Sequence, residues 1–310
     1  PLHNPLFQPH IFYTIEGAII MSFNQEIVLK LTYAGFTTRH LHKMLSYDTS
    51  LNFIDDHDEF LNFISKSNFN YNKMFAMYNR YRDSDIEELV KNIEAQNIKF
   101  VFSNQSGYPN LLKQIYDYPL MLFGQGDMNL LNHSKMLAIV GSRKATTYTE
   151  QICDTLIPSL VKANITIVSG LAMGADYFAH LKTIDQGGHT IGVAAFGLNY
   201  HYPKSTDYIN LFMRKHHLVI SEYYPNVKLQ KWRFPERNRI ISGLSQGVLV
   251  TEANERSGSL ITIDQALDQN RNVYCCPGTI FQSLSKGVNK RIQEGAKLIQ
   301  TPEDILEDFR

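Results

Sequence analysis

From Leu137 onward, short apolar runs alternate with amphipathic stretches, and each run stops at a small or polar residue. Leu137 to Val140 ends at Gly141, and Ile165 to Val168 ends at Ser169 and Gly170. Runs of that length, apolar throughout, suit buried parallel strands. Between them Tyr148, Ile152, Leu156 and Leu160 recur at every fourth position, giving a helix with one apolar stripe. Thr147 and Glu150 have the spacing of a capping box, and Pro158 is expected to kink the helix. The alternation continues with a helix over 175–184, a strand over 190–196, a helix over 206–215 and a strand over 218–221. A helix over 237–245, a strand over 247–251, a helix over 259–267 and a strand over 273–276 follow. This pattern predicts an α/β fold with a mainly parallel sheet and helices on both faces.

Upstream, residues 22–85 read as short helices punctuated by Asn, Asp and Ser, with Ile27, Leu31, Leu41, Met44 and Leu45 at helical spacing. A helix over 86–95 and strands over 100–102 and 119–123 follow, and Gly124, Gly126 and Asp127 read as a turn. The domain boundary falls near residue 85. Residues 1–20 precede the first Met, Met21, and mix His, Pro and aromatics without a period, as an upstream translated segment would.

The chain has 310 residues, 30 Lys and Arg against 30 Asp and Glu, and three cysteines. The zero balance gives no global field for nucleic acid or membrane, though a local basic patch stays open. Cys153, Cys275 and Cys276 form no CxxC pair, so metal binding is not expected and a reducing, cytoplasmic setting fits. No apolar run reaches transmembrane length. His40 and His42 do not share a helix face, and Asp55 to Glu59 reads as an acidic helix start.

The chemistry concentrates in the loops after the strands, where open α/β sheets bind ligands. Gly141, Ser142 and Arg143 offer backbone N–H groups, a hydroxyl and a guanidinium, a set that suits phosphate. Neither a G-x-G-x-x-G nor a G-x-x-x-x-G-K-[ST] fingerprint is present there. Ser169, Gly170 and Gly174 form a second crowded turn. Asp176 and His180 stand at i and i+4, either as a catalytic pair or as a cap and a structural helical His. Arg237, Asn238 and Arg239 adjoin an apolar helix face. Ser257, Gly258 and Ser259 open a further helix and make a second candidate anion site. Glu252 at a strand end is either a general base or a structural carboxylate paired with an Arg. Lys204, Lys228, Lys231 and Arg233 interleave with Tyr200, Tyr202, Tyr223, Tyr224 and Trp232, as in sites that bind single strands by charge and stacking.

Taken as a series, these motifs resemble the DNA-processing protein A family, also called DprA or Smf. The matching residues are GSR at 141–143, SGLAMGAD at 169–176, YP at 202–203, SEY at 221–223, FPERNRIISGLS at 234–245, SGSLIT at 257–262, CPG at 276–278 and GVNKRIQEGA at 287–296. Order and spacing agree from about Tyr108 to Leu298. Departures are small: Ala175 stands where the family usually has Ile, and Thr251 where it usually has Val. The resemblance implies an extended Rossmann-like fold preceded by a small helical domain of the sterile-alpha-motif type. It implies a winged-helix domain only in some members, and the chain to Arg310 is expected to carry none. It further implies single-stranded DNA binding, loading of the RecA recombinase onto that DNA in natural transformation, and no catalytic step, cofactor or metal. Arg143 is the implied principal DNA contact, helped by Lys204, Lys228 and Lys231. A homodimer is implied, with Ile292 and Leu298 at the contact. The enzyme alternative is a phosphoribohydrolase-like nucleotide-processing Rossmann protein. That class carries P-G-G-x-G-T-x-x-E where this chain reads TEANERSGSLIT.

Overall fold

The computed structural model describes residues 23–310, so the reading of residues 1–20 lies outside the described residues. The chain divides into two units. The smaller comprises the described residues up to Tyr108 together with Asp117–Leu122; the larger comprises Pro109–Tyr116 and Phe123–Arg310.

The smaller unit holds helices α1 (Gln25–Ala34), α2 (Thr38–Tyr47), α3 (His57–Lys66), α4 (Tyr71–Arg82) and α5 (Ile86–Glu94), then strand β1 (Lys99–Phe102). Helix α5 and β1 therefore fall in this unit, beyond residue 85, because Leu89, Val90 and Ile93 are buried and α5 lies against α1. The acidic run does start a helix: Asp56 caps α3 by accepting from the N–H groups of Asp58 and Glu59. Asp55 instead accepts from the Tyr81 hydroxyl at 2.7 Å. His40 accepts from the Thr37 N–H through Nδ1 at 3.0 Å, closing a capping box on α2.

The larger unit begins with the single-turn helix α6 (Asn110–Lys113). Strand β2 (Met121–Gly126) ends in it, and β3 (Met136–Val140), helix α7 (Thr147–Lys162), β4 (Thr166–Ser169), α8 (Ala175–Asp185) and β5 (Thr190–Val193) follow. Then come α9 (Asp207–His216), β6 (Leu218–Ser221), α10 (Arg233–Leu244), β7 (Gly247–Val250), α11 (Gly258–Asp268) and β8 (Asn272–Cys275). The chain closes with α12 (Lys286–Gln293), β9 (Lys297–Leu298) and α13 (Glu303–Leu306). Strand order in this unit is β2-β6-β5-β4-β3-β7-β8-β9, parallel except where Phe123–Gly126 of β2 runs antiparallel to β6. This is the mainly parallel sheet that the pattern predicts, in the Rossmann-like fold that the resemblance implies.

One face of the sheet, carrying Leu137, Ile139, Ile167 and Leu249, buries under Ile152, Leu156 and Leu160 of α7. Helix α10 lies against β3, β4 and β5, with α11 beside it, on the other face. Gly124 and Gly126 are strand residues rather than a turn, since β2 continues to pair with Val219 and Leu218. The cap of α7 is Thr146, one residue before the expected Thr147; its hydroxyl accepts from the Tyr148 N–H at 3.2 Å. Glu150 is not part of that cap but pairs with Lys182 at 3.0 Å. Pro158 sits inside α7, which runs on to Lys162. Among the described residues no helix is long and apolar enough to cross a membrane. The three cysteines are buried and free, and Cys276 lies one residue past β8.

Candidate functional site

Parallel strands bring their following loops to one sheet edge, and there a cleft of about 440 Å³ opens between the β3 loop, α10 and the start of α11. The β3 loop needs glycine at its first position. A Cβ on Gly141 would lie 2.6 Å from the Thr251 hydroxyl oxygen and 2.7 Å from the Ala175 Cβ. The neighbouring loop needs one at Gly174, whose φ of +76° favours glycine and where an added Cβ would collide with the Ser142 and Arg143 carbonyls. The β3 loop is tied to both of its neighbours: Ala175 N–H donates to the Ser142 carbonyl at 3.1 Å, and Ser142 N–H to the carbonyl of Glu252, after β7, at 2.7 Å.

Arg143 leaves this braced loop exposed, with its guanidinium carbon 4.9 Å from the centroid of the Phe234 ring. That is cation–π range. Among the described residues no carboxylate forms an ion pair with it. Across the cleft, Ser257 caps α11: its hydroxyl accepts from the Ser259 N–H at 3.3 Å and touches the Ser259 hydroxyl at 2.6 Å. Ser257, Gly258 and Ser259 all line the cleft, so the positive end of an eleven-residue helix faces it.

Arg237 forms the floor. It is 5% exposed, its Nη1 donates to the Val193 carbonyl, and its Nε has no hydrogen-bond partner. Burial pushes its pKa below the usual value, the Asp176 carboxylate opposes that shift, and the nearby Arg143 charge adds to it. Asp176 also lines the cleft and accepts from the Ala172 N–H at 3.1 Å. Helix α10 starts a turn before the expected residue 237, so Phe234, Asn238 and Ile241 fall on the same face and line the cleft together. A smaller hollow of about 70 Å³ adjoins it, shares Arg143, Phe234 and Arg237, and is otherwise walled by residues such as Leu171, Phe196 and Tyr202.

Of the residues singled out from sequence, Gly141, Ser142, Arg143, Lys231, Arg237, Ser257, Gly258 and Ser259 meet at this cleft. Lys204 and Lys228 are exposed but do not line it. The Lys228 carbonyl accepts from Arg233, whose guanidinium lies 4.9 Å from the Tyr223 ring and 4.8 Å from the Trp232 ring. Ser169 is buried and donates to the Ile139 carbonyl at 2.5 Å, and the Gly170 carbonyl contacts His180 Nε2 at 2.6 Å. Arg239 points the other way into the body, where it pairs with Glu222 at 2.5 Å. Residues two apart on a helix do not share a face, so Arg237 and Arg239 cannot both reach the cleft.

Asp176 and His180 do not act as a bonded pair. His180 is 1% exposed, its Nδ1 contacts the Thr190 hydroxyl at 2.7 Å, and burial lowers its pKa. Glu252 pairs with no Arg either. It is 1% exposed and accepts from the Thr146 N–H at 2.7 Å, the Thr146 hydroxyl at 2.9 Å and the Thr149 hydroxyl at 2.7 Å. The carboxylate thus fastens the start of α7 to the end of β7. Of the aromatics, Tyr202 and Trp232 are open, at 43% and 54% exposure, whereas Tyr224 is buried and Tyr223 donates to Glu236. Among the described residues no group of His, Cys, Asp and Glu is placed to hold a metal ion. Asn238, which the sequence sets beside Arg237, lines the cleft, whereas Phe234 carries no role in the sequence pattern. The i, i+4 spacing from Phe234 to Asn238 and on to Ile241 is the signal that marks them.

Comparison with known proteins follows the same lines. The family model for DNA recombination-mediator protein A matches residues 99–310. The DNA processing protein DprA of Bacillus subtilis is 46% identical over 214 residues, 69% of this chain and 72% of that protein. Its namesake from Streptococcus pneumoniae is 38% identical over 282 residues, 91% of this chain and 97% of that one. The X-ray structure of the pneumococcal protein matches with a TM-score of 0.80 at 36% identity, covering 93% of this chain and 99% of that one. DNA processing protein A from Helicobacter pylori, whose structure describes a single-stranded DNA binding mode, matches with a TM-score of 0.62 at 26% identity. It covers 68% of this chain and 95% of that one.

Proposed function

This chain belongs to the DNA recombination-mediator protein A family, and we propose that its cleft binds the backbone of single-stranded DNA. The observation that carries the reading is the convergence of Arg143, Lys231, buried Arg237 and the N-terminus of α11 on one opening. Such a set neutralises phosphate charge and releases counterions. Stacking on Tyr202 and Trp232 needs bases that are not paired, which favours single strands over duplex. Exposed Lys204 and Lys228 extend the cationic surface outward. The single-stranded DNA binding of the Helicobacter pylori relative supports the same assignment.

The finer reading is that of a cytoplasmic recombination mediator in natural transformation. It presents bound DNA to the RecA recombinase, assembles as a homodimer through the surface around Ile292 and Leu298, and catalyses no bond-breaking step. The absence of turnover rests on the two candidate bases: Glu252 is buried and accepts from Thr146 and Thr149, and Asp176, which lines the cleft, is tied to the Ala172 N–H and to the charge of Arg237. Fluorescence anisotropy with a labelled oligothymidine and with a duplex of equal length tests the core reading. Binding of the single strand at least tenfold tighter than the duplex is expected; equal affinity, or none, contradicts it.

A further inference from the structure

Past the cleft, the same sheet edge carries a second feature that phosphate binding leaves unused. The loop after β8 exposes Ile280 at 73% and Phe281 at 92%. An apolar pair this bare is held on a firm backbone. The Asn289 side chain clamps Gly278, accepting from its N–H at 3.1 Å and donating to its carbonyl at 2.8 Å. The Gln282 N–H donates to the Thr279 carbonyl at 3.2 Å, closing the turn beneath Phe281. This loop is also sewn to the one that leads into the cleft. The Ala253 N–H donates to the Leu284 carbonyl at 2.7 Å, and the Gly287 N–H to the Ala253 carbonyl at 2.9 Å. From Ala253 the chain runs directly to Ser257, which lines the cleft. Arg256, on the loop before α11, and Lys286, the first residue of α12, are exposed, and neither has an ion-pair partner among the described residues.

We propose that Phe281 is a stacking platform for a base of the bound single strand, with Arg256 and Lys286 holding the flanking phosphates. A nucleic-acid strand leaving the N-terminus of α11 crosses this ridge if it continues along the sheet edge towards β8. An exposed flat ring on a segment joined to one that carries a cation is the combination that such strands use. The inference rests on the single-stranded DNA reading of the cleft and lengthens the binding site.

Oligothymidines of increasing length separate the two ideas. A short oligomer that fills only the cleft is expected to bind wild type and Phe281→Ala alike. A longer oligomer is expected to lose about tenfold in affinity with Phe281→Ala, within the range for one lost base–aromatic stack. Phe281→Trp should restore the long-oligomer affinity, and sedimentation should give all variants the same mass. Equal binding of the long oligomer by Phe281→Ala overturns the platform while leaving the cleft reading intact. A loss that appears equally with the short oligomer, or one accompanied by a change in mass or in binding of a protein partner alone, also overturns it. Failure of wild type to bind any oligomer removes the cleft reading instead.

Discussion

The guanidinium of Arg143, in the loop after β3, rests over the ring of Phe234 in the first turn of α10, 4.9 Å from its centroid. The ring sets where the cation waits, so the charge is positioned before any ligand arrives. Phe234→Leu keeps apolar bulk but removes the quadrupole, which contributes about 0.5–1 kcal/mol at an open site. A two- to fivefold weaker affinity for oligothymidine is expected, with an unchanged melting temperature. Unaltered affinity would show that Arg143 needs no such support.

Glu252 is predicted to be a structural carboxylate. Glu252→Gln leaves at least one donor from Thr146 or Thr149 without its acceptor, at about 1–3 kcal/mol. A lower melting temperature is expected, with no release of base from mononucleotides by either protein. Release by wild type that disappears in the variant would make Glu252 catalytic.

Acid should destabilise the protein in a defined window. Burial, aided by the charges of Lys73 and Arg39, pushes the His40 pKa from 6.5 down to about 4. The folded value lies below the unfolded one, so the unfolded chain takes up protons first as pH falls. The stability contributed by neutral His40 is full above the unfolded pKa of 6.5 and is lost progressively towards about 4. His217 is pushed from 6.5 to about 4 in the same way by burial and by the other histidines near it. Glutamine at position 40 can still accept from the Thr37 N–H but cannot titrate. The melting temperature of His40→Gln should therefore fall less than that of wild type between pH 7 and pH 5. Parallel decline in both proteins would remove His40 from the account.

Leu298 is 40% exposed on β9, at the end of the strand order. A homodimer formed through this edge should be weakened at least tenfold by Leu298→Glu, which buries a charge without a partner. Analytical ultracentrifugation over micromolar concentrations reads the change, and a monomeric wild type would contradict the assembly.

Local pattern made much of this molecule legible. The strand Leu218–Ser221 has the bounds that its apolar run predicts, and eight of the residues chosen for phosphate chemistry share the cleft. What escaped depends on partners distant in sequence. The cap of α7 lies at Thr146 because Glu252, 106 positions away, holds that N–H. Gly124 reads as a turn residue alone, yet pairs with Ile220 as strand. Arg239 carries the same charge as Arg237, and only the facing Glu222 shows that it turns inward. Phe234 stands in a motif dominated by charge, and only the position of α10 brings its ring to Arg143.

Arg143 is predicted to contact phosphate, and salt dependence measures that contact most directly. Oligothymidine binding by wild type and Arg143→Ala should be followed across a salt series, with circular dichroism establishing that both are folded. Each phosphate contact on a single strand contributes a slope of about −0.7 to log K against log salt. The variant should bind unrelated single strands more weakly by a similar factor, and its slope should be shallower by about 0.7. Wild-type affinity and slope in a folded Arg143→Ala protein would contradict the assignment of this cleft.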